Sequence, residues 1–260
     1  MSDHALTHLT IDDRIATITL DRPEKRNALS PALVTSLFDD LTACRSNDAV
    51  RAVRITAHGS VFSAGADLAY LQTLQHNTYE ENLADSHHLR LLFELMDGFP
   101  KPLIAQVEGH AIAGGCGLAT VCDFVFTVPA ARFGYTEVRI GFVPALVMTF
   151  LLRRTDEATA RRLLLTGELI DAHRAVELGL ATEVVDPDAI DAHVLEFIQS
   201  LITSVSGDAF AMTKEMMRTV QTLDSTAAFD HAETVNARAR ATDDCKRGIA
   251  AFLAKERIRW

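Results

Sequence analysis

The stretch HAIAGGCGLATVCDF, residues 110–124, places three glycines at the start of an apolar segment with the composition of a buried helix. A glycine inside a helix costs about 1 kcal/mol relative to alanine, so Gly114, Gly115 and Gly117 require a compensating use. The first turn of a helix presents N–H groups without intrahelical partners, and glycine lets another group approach that backbone closely. The stretch therefore predicts a strand-to-helix junction able to bind a phosphate or a developing oxyanion.

A second junction of the same kind lies upstream, in GSVFSAGADLAYL, residues 59–71. A predicted strand over 50–56 leads into it, and small residues precede a helical pattern. An oxyanion hole for an acyl group needs two converging donors, and the two junctions supply two candidate loops. Both loops are also consistent with ordinary tight turns, and spacing alone does not decide between these interpretations.

The rest of the chain alternates strands and helices to about residue 190 and is mainly helical afterwards. A hairpin is predicted around residues 12–13, and a helix after residues 30–31, where serine caps and proline fits the first turn. A helical stretch over 66–96 breaks near Asn77, and KPLIAQVEG and DFVFTV are predicted short strands. This order indicates an α/β fold with right-handed crossovers and a helical C-terminal region.

Composition excludes several classes of protein. The chain has 260 residues, 48% of them hydrophobic, enough for one large core, and a net charge of −10 disfavours binding to nucleic acid or an anionic membrane. No apolar run approaches the ~20 residues that span a bilayer, and the N-terminus lacks a signal-peptide core, so we expect a cytoplasmic protein. The four cysteines have no C-x-x-C spacing, so we expect buried, reduced thiols and no metal site. Neither a P-loop nor a G-x-G-x-x-G motif occurs.

Five ordered motifs resemble the crotonase, or enoyl-CoA hydratase/isomerase, superfamily over nearly the whole chain. They are ITLDRPEKRNALS, VFSAGADL, GHAIAGGCGLATVCDF, FGYTEVRIGFVPA and LLLTGELIDAHRAVELGLATEVV. The resemblance implies a crotonase-type spiral of ββα units over residues 1–195 and a C-terminal helical trimerisation region over 196–260. It also implies an acyl-CoA substrate, a homotrimer or dimer of trimers, and no cofactor, since coenzyme A is part of the substrate. The segment TEVRIGFVPA is most similar to members that hydrate methylglutaconyl-CoA-type substrates.

The resemblance also implies roles for individual residues. The backbone N–H groups of Ala66 and Gly114 would hold the thioester oxygen, with the dipole of a helix beginning near Gly115 aimed at it, and Glu137 would be the acid and base. Residues implied in coenzyme A binding are Lys25, Arg26, Ala28, Ala64, Gly65, Asp67, Leu68 and Gly115, with Phe252 and Lys255 reaching the coenzyme A of a neighbouring subunit. The basic residues fit a solvated surface equally well.

One feature departs from the family pattern, because hydratases of this superfamily typically carry a first glutamate where this chain has Gly117. A single carboxylate suffices to move a double bond, and it can also activate water and protonate carbon in turn. In an apolar pocket we expect Glu137 to have a raised pKa. A second polar group from His87, His88 or Glu94 would assist hydration, although each fits a solvent-facing helix position.

Three functions follow from these observations. Hydration of an enoyl-CoA is slightly favoured by the branch resemblance, and isomerisation of an enoyl-CoA double bond is the alternative favoured by Gly117. An acyl-CoA-binding protein without catalysis is the alternative of another class. We also expect a Gly117→Glu variant to keep the fold and direct its carboxylate into the acyl pocket.

Overall fold

The N-terminal strands form the predicted hairpin. In the computed structural model, which describes residues 5–260, β1 (Thr7–Asp12) pairs antiparallel with β2 (Ile15–Leu20). Asp13 and Arg14 form the turn with positive φ angles of 42° and 69°, the backbone that a two-residue hairpin requires. Residues 1–4 of the predicted core lie outside the described residues.

The first helix, α1 (Pro31–Ser46), begins where the capping pattern predicts. The Ser30 side chain accepts a hydrogen bond from the Leu33 N–H, and Pro31 occupies the first turn. Its apolar face is buried through Leu33, Leu37 and Leu41, as the period of the sequence predicts.

Three units of two strands followed by helical structure come next, and each unit divides its strands between two sheets. The first unit is β3 (Ala52–Ala57), β4 (Val61–Ser63), α2 (Leu68–Leu74) and α3 (Tyr79–Asp97). The second is β5 (Leu103–Val107), β6 (His110–Ile112) and α4 (Gly114–Thr120). The third is β7 (Phe124–Thr127), β8 (Arg132–Gly134), a 3-10 helix (Glu137–Ile140) and α5 (Ala145–Arg154). The predicted α/β fold of ββα units is confirmed.

The remaining elements complete the sheets and add the C-terminal helices. They are α6 (Glu157–Thr166), β9 (Ile170–Asp171), α7 (Ala172–Glu177), β10 (Glu183–Val184), α8 (Ile190–Ser204), α9 (Gly207–Val220), α10 (Ser225–Ala241) and α11 (Asp243–Ala254). The larger sheet has the order β1-β2-β3-β5-β7-β10, and the smaller has the order β4-β6-β8-β9. Strands β4, β6 and β8 run parallel, so their carboxyl ends meet at one edge of the smaller sheet.

The C-terminal helices differ in how much they bury. The predicted boundary between residues 195 and 196 falls inside α8, whose Val194, Ile198 and Ile202 belong to the core. In contrast, α9 and α11 contain no buried residue, and α10 buries only Val235. Within residues 5–260, no helix is both long and apolar enough to cross a membrane.

Candidate active site

The three residues with predicted chemical roles follow the three parallel strands of the smaller sheet. Ala66 follows β4, Gly114 follows β6 and Glu137 follows β8, so the topology brings all three to the same edge. They line one cavity of about 310 Å³. Its apolar lining includes Leu29, Val34, Phe93, Ile140, Phe142 and Val147.

The two glycine-containing loops are in direct contact. Gly65 has a φ of +83°, and a β-carbon built on it would lie 2.8 Å from the β-carbon of Ala113, 2.8 Å from the carbonyl oxygen of Ile112 and 3.3 Å from the nitrogen of Gly114. Only a residue without a side chain allows this approach, since real β-carbon contacts are longer. The predicted convergence of the two loops is therefore present.

Each loop offers one unpaired N–H group beside the cavity. Leu29 donates to the carbonyl of Gly65 and accepts from the N–H of Asp67, and this pairing leaves the N–H of Ala66 without a hydrogen bond within residues 5–260. The N–H of Gly114 is the first of α4, where no intrahelical acceptor exists. Ala113 precedes it with φ 51° and ψ −126°, a backbone conformation that alanine rarely adopts. The N–H groups of Ala66 and Gly114 are therefore two hydrogen-bond donors beside the cavity.

Close packing explains two of the three opening glycines. A β-carbon on Gly115 would lie 2.4 Å from the carbonyl oxygen of Ser63, so glycine lets α4 begin against the end of β4. A β-carbon on Gly117 would lie 2.3 Å from Cγ1 of Val147 and 3.4 Å from Cζ of Phe93. Val147 occupies the space that a side chain at 117 would need. A side chain at 117 must therefore displace Val147, which is stiff and yields only at a cost in stability, and the expectation that Gly117→Glu keeps the fold stays a prediction.

We expect Gly117→Ala to lower the free energy of unfolding by about 1–3 kcal/mol, the usual cost of overpacking a core. The double variant Gly117→Ala/Val147→Ala should lose less than the sum of the two single changes, because truncating Val147 relieves the clash. Denaturant unfolding of the four proteins measures this coupling. A stability gain of about 1 kcal/mol in Gly117→Ala, as helix propensity alone predicts, would contradict the packing argument.

The carboxyl group of Glu137 is buried in apolar surroundings. Glu137 is 9% exposed and begins the 3-10 helix, and its Oε2 has no hydrogen-bond partner within residues 5–260. Burial raises the pKa of Glu137 above its ordinary value, because the surroundings disfavour the charged form. The expected pKa shift is confirmed in direction, and the group is able to hold or release a proton toward the cavity.

A second set of polar side chains lines the cavity from α2 and α3. It consists of Tyr70, Asp85, Ser86 and His88, and only His88 belongs to the helix residues that the sequence suggested. The Tyr70 hydroxyl donates to Oδ1 of Asp85, and burial, together with this bond, raises the pKa of Tyr70 to about 12. His87 and Glu94 are exposed on α3 and do not line the cavity.

The residues implied in coenzyme A binding divide into two groups. Ala64 and Leu68 line the cavity, whereas the other implied residues do not line it within the described chain. Those outside the lining are Lys25, Arg26, Ala28, Gly65, Asp67, Gly115, Phe252 and Lys255. Lys25, Arg26, Phe252 and Lys255 are exposed, and Ala28 is buried.

Asp67 has a structural role in positioning the Ala66 loop. Asp67 is 5% exposed. Its side chain caps α2 by accepting from the N–H groups of Ala69 and Tyr70, and it pairs with Arg22 at 2.6 Å. Burial raises the pKa of Asp67, but the hydrogen bonds from Tyr70 and Arg22 outweigh it and lower the pKa below its ordinary value. This carboxylate therefore fixes the loop that carries the Ala66 donor.

Sequence reasoning did not single out Asn27, which organises the neighbouring loop. Its side-chain amide donates to the carbonyls of His58 and Val61 and accepts from the N–H of Arg22. Asn27 also has a φ of +50°, which asparagine tolerates better than most residues. The Arg26-Asn27 pair, shortly before the capped helix α1, is the sequence feature that could have indicated this role.

Between residues 5 and 260, no cluster of three or more His, Cys, Asp or Glu side chains is arranged to hold a metal ion. Cys44, Cys116 and Cys122 are buried and Cys245 is half-buried, in agreement with the expected mostly buried thiols.

Comparisons with known proteins agree with this geometry. A sequence model of the family described as "Enoyl-CoA hydratase/isomerase" matches residues 10–260. A protein of Thermus thermophilus, provisionally named an enoyl-CoA hydratase, is 41% identical over 244 residues, covering 93% of this chain and 95% of the relative. The 2,3-dehydroadipyl-CoA hydratase of Escherichia coli is 32% identical over 243 residues, covering 93% of each. The crystal structure of an enoyl-CoA hydratase of Mycobacterium smegmatis matches with a TM-score of 0.92 and 29% identity over 99% of both chains.

Proposed function

The chain belongs to the enoyl-CoA hydratase/isomerase family, and from this premise we propose that it adds water to the double bond of a 2-enoyl-CoA thioester. The observation that carries the proposal is the buried, unpaired carboxyl group of Glu137, which faces the same cavity as two backbone donors. Glu137 is the proposed acid and base, and Ala66 and Gly114 are the proposed oxyanion-binding residues.

The reaction places negative charge on the thioester oxygen. The N–H groups of Ala66 and Gly114 are free to donate to that oxygen, and removing one such donor from an enzyme typically costs about 2.7–4 kcal/mol of transition-state stabilisation. Polarisation of the carbonyl makes C3 electrophilic. The oxygen of water forms a bond to C3, and the electrons of the double bond move toward the thioester oxygen.

Glu137 completes the balance of protons. Its carboxylate takes a proton from the attacking water and returns one to C2, so the product gains OH at C3 and H at C2. The raised pKa of Glu137 suits this double role, because the group binds the proton firmly and remains titratable. The addition is redox-neutral, so it requires no redox cofactor, and coenzyme A enters as part of the substrate.

Double-bond isomerisation is the second candidate, and Gly117 supports it. Helix α4 contains no Asp or Glu, since residue 117 is glycine with Val147 packed beside it, so α4 supplies no carboxylate to the cavity. One base that carries a proton between two carbons is enough to shift a double bond. An acyl-CoA-binding protein without catalysis is less well supported, because simple binding gives no use for a buried carboxyl group without a partner.

A two-substrate assay separates these candidates. Crotonyl-CoA loses its conjugated thioester absorbance on hydration, whereas 3-hexenoyl-CoA gains that absorbance on isomerisation. The proposal predicts loss of signal with crotonyl-CoA. A gain with 3-hexenoyl-CoA and no change with crotonyl-CoA would instead establish the isomerase, and binding of both without change would establish the binding protein.

The C-terminal helices support a further part of the proposal, assembly into a homotrimer or a dimer of trimers. Large apolar side chains are exposed there, including Phe229 at 75%, Phe252 at 82% and Leu253 at 75%. Such a surface is typical of one covered by another chain. The proposed CoA contacts of Phe252 and Lys255 then fall on the coenzyme A of a neighbouring subunit.

We expect light scattering to give three or six times the chain mass of 28.5 kDa. The double variant Phe252→Glu/Leu253→Glu should shift the mass toward that of one chain, because burying two charges in an apolar interface is unfavourable. Lys246→Glu on the same helix is the matched control, since Lys246 is exposed and polar already. A native mass of one chain would contradict the assembly.

A further inference from the structure

The acyl cavity has a polar wall that includes Tyr70 on α2 and Asp85 and His88 on α3, with the exposed Ser86 beside them on α3. This wall is separate from the sheet edge that carries Ala66, Gly114 and Glu137. Asp85 and His88 are three residues apart on one helix, so their side chains are neighbours. The proposed hydration chemistry makes no use of the three groups.

Tyr70, Asp85 and His88 present hydrogen-bond acceptors to the cavity, whereas the hydroxyl group of Ser86 can donate or accept. The hydroxyl proton of Tyr70 is directed to Oδ1 of Asp85, which leaves the tyrosine oxygen and the second carboxylate oxygen as acceptors. Thr35 donates its hydroxyl proton to the carbonyl of Pro31, so the contact of 3.1 Å between its oxygen and Nε2 of His88 requires an N–H on the imidazole. Nδ1 of the neutral ring is then also an acceptor.

The charge of the wall also disfavours a carboxylate in the acyl chain. Asp85 contributes a negative charge, and no lysine or arginine lines the cavity in the part of the chain that the structure describes. The wall therefore offers a carboxylate of the substrate no lysine or arginine with which to pair.

We propose that Tyr70, Asp85 and His88 select acyl chains that carry a hydrogen-bond donor, such as a hydroxyl group, over chains that carry a carboxylate. The inference rests on the proposed function, because it assigns the acyl group of the same substrate. A hydroxyl group donates to one of the three acceptors. A carboxylate brings only acceptors and a charge that Asp85 repels.

The Tyr70–Asp85 hydrogen bond also ties α2 to α3 across the break near Asn77. If that tie were its only role, its loss would change stability and would weaken all acyl groups equally. Selection between acyl groups requires a change in the ratio of two affinities. That ratio is therefore the measurement that distinguishes recognition from a purely structural role.

The experiment measures calorimetric dissociation constants of saturated thioesters, which lack the double bond and cannot be hydrated. The six-carbon probes are hexanoyl-CoA, 6-hydroxyhexanoyl-CoA and adipyl-CoA, and the four-carbon probes are butyryl-CoA, 4-hydroxybutyryl-CoA and succinyl-CoA. In at least one series we expect the hydroxylated probe to bind at least about tenfold more tightly than the carboxylated probe, with the unsubstituted probe between them. Asp85→Asn should reduce that ratio to about threefold or less. Glu94→Gln, an exposed change on the same helix, should leave it unchanged.

Equal or tighter binding of the carboxylated probe in both series would overturn the inference, as would an unchanged ratio in Asp85→Asn. If the protein hydrates crotonyl-CoA but does not show this selectivity, the inference is overturned and the proposed function stands. Selective binding without hydration would overturn the proposed function and leave the acceptor wall standing.

Discussion

Glu137→Gln is expected to lower kcat for hydration of crotonyl-CoA by about 10³-fold, near the middle of the range for loss of a general acid–base group. The amide has nearly the shape of the carboxyl group but neither accepts nor returns a proton at Oε2. Affinity for butyryl-CoA should stay within about threefold, because the N–H groups of Ala66 and Gly114 are unchanged. Glu94→Gln, exposed on α3, is the matched control. A variant that keeps full activity would remove Glu137 from the mechanism.

The same substitution should change stability in a pH-dependent way. Burial raises the pKa of Glu137 in the folded protein, so the folded state binds a proton more readily than the unfolded state does. The stability that this proton provides is present below the unfolded pKa, about 4.3, and is lost as the pH rises through the folded pKa. Thermal unfolding should therefore show Glu137→Gln more stable than the native protein at pH 8. Little difference is expected at pH 4. A less stable variant at pH 8 would contradict the desolvation of Glu137.

Gly65→Ala is expected to lower kcat by about 10²–10³-fold, the effect of losing one oxyanion donor. The new methyl group would meet Ala113 and the carbonyl of Ile112, both at 2.8 Å. The loop carrying Ala66 must then move away from the loop carrying Gly114. The positive φ of Gly65 adds backbone strain for alanine, so the melting temperature should fall as well.

Gly179→Ala is the matched control for Gly65→Ala. Gly179 has a similar φ of +75°, and its nearest contact would be a backbone oxygen at 3.4 Å, an ordinary distance. It should therefore lose stability through backbone strain and keep its kcat. Equal kcat values in the two variants would show that the contact between the two loops does not determine activity.

Structural features that depend on adjacent residues were predicted well from the sequence. The cap and apolar face of α1, the hairpin of β1 and β2, and the break between α2 and α3 follow from propensities of adjacent residues. The five ordered motifs gave the family and the crotonase-type spiral, both of which are confirmed. They also placed Ala66, Gly114 and Glu137 around one cavity.

Structural features that depend on contacts between residues far apart in the sequence were not predicted. Strands β4, β6 and β8 have three residues each, too few to show a period, and pairing with neighbouring strands defines them. The contact of Val147 with Gly117 joins residues 30 positions apart on two helices, so the sequence alone did not show that Val147 occupies the space beside Gly117. Tyr70 and Asp85 are 15 positions apart and meet only because α2 and α3 fold against each other.

The central claim is that this chain adds water across an enoyl-CoA double bond through Glu137. Incubation of crotonyl-CoA with the protein in water labelled with oxygen-18, followed by mass spectrometry of the thioester, tests it most directly. The account predicts one labelled oxygen in a product heavier by one molecule of water, and almost none with Glu137→Gln. Recovery of unlabelled thioester with only a shifted double bond, or equal labelling by the two proteins, would contradict it.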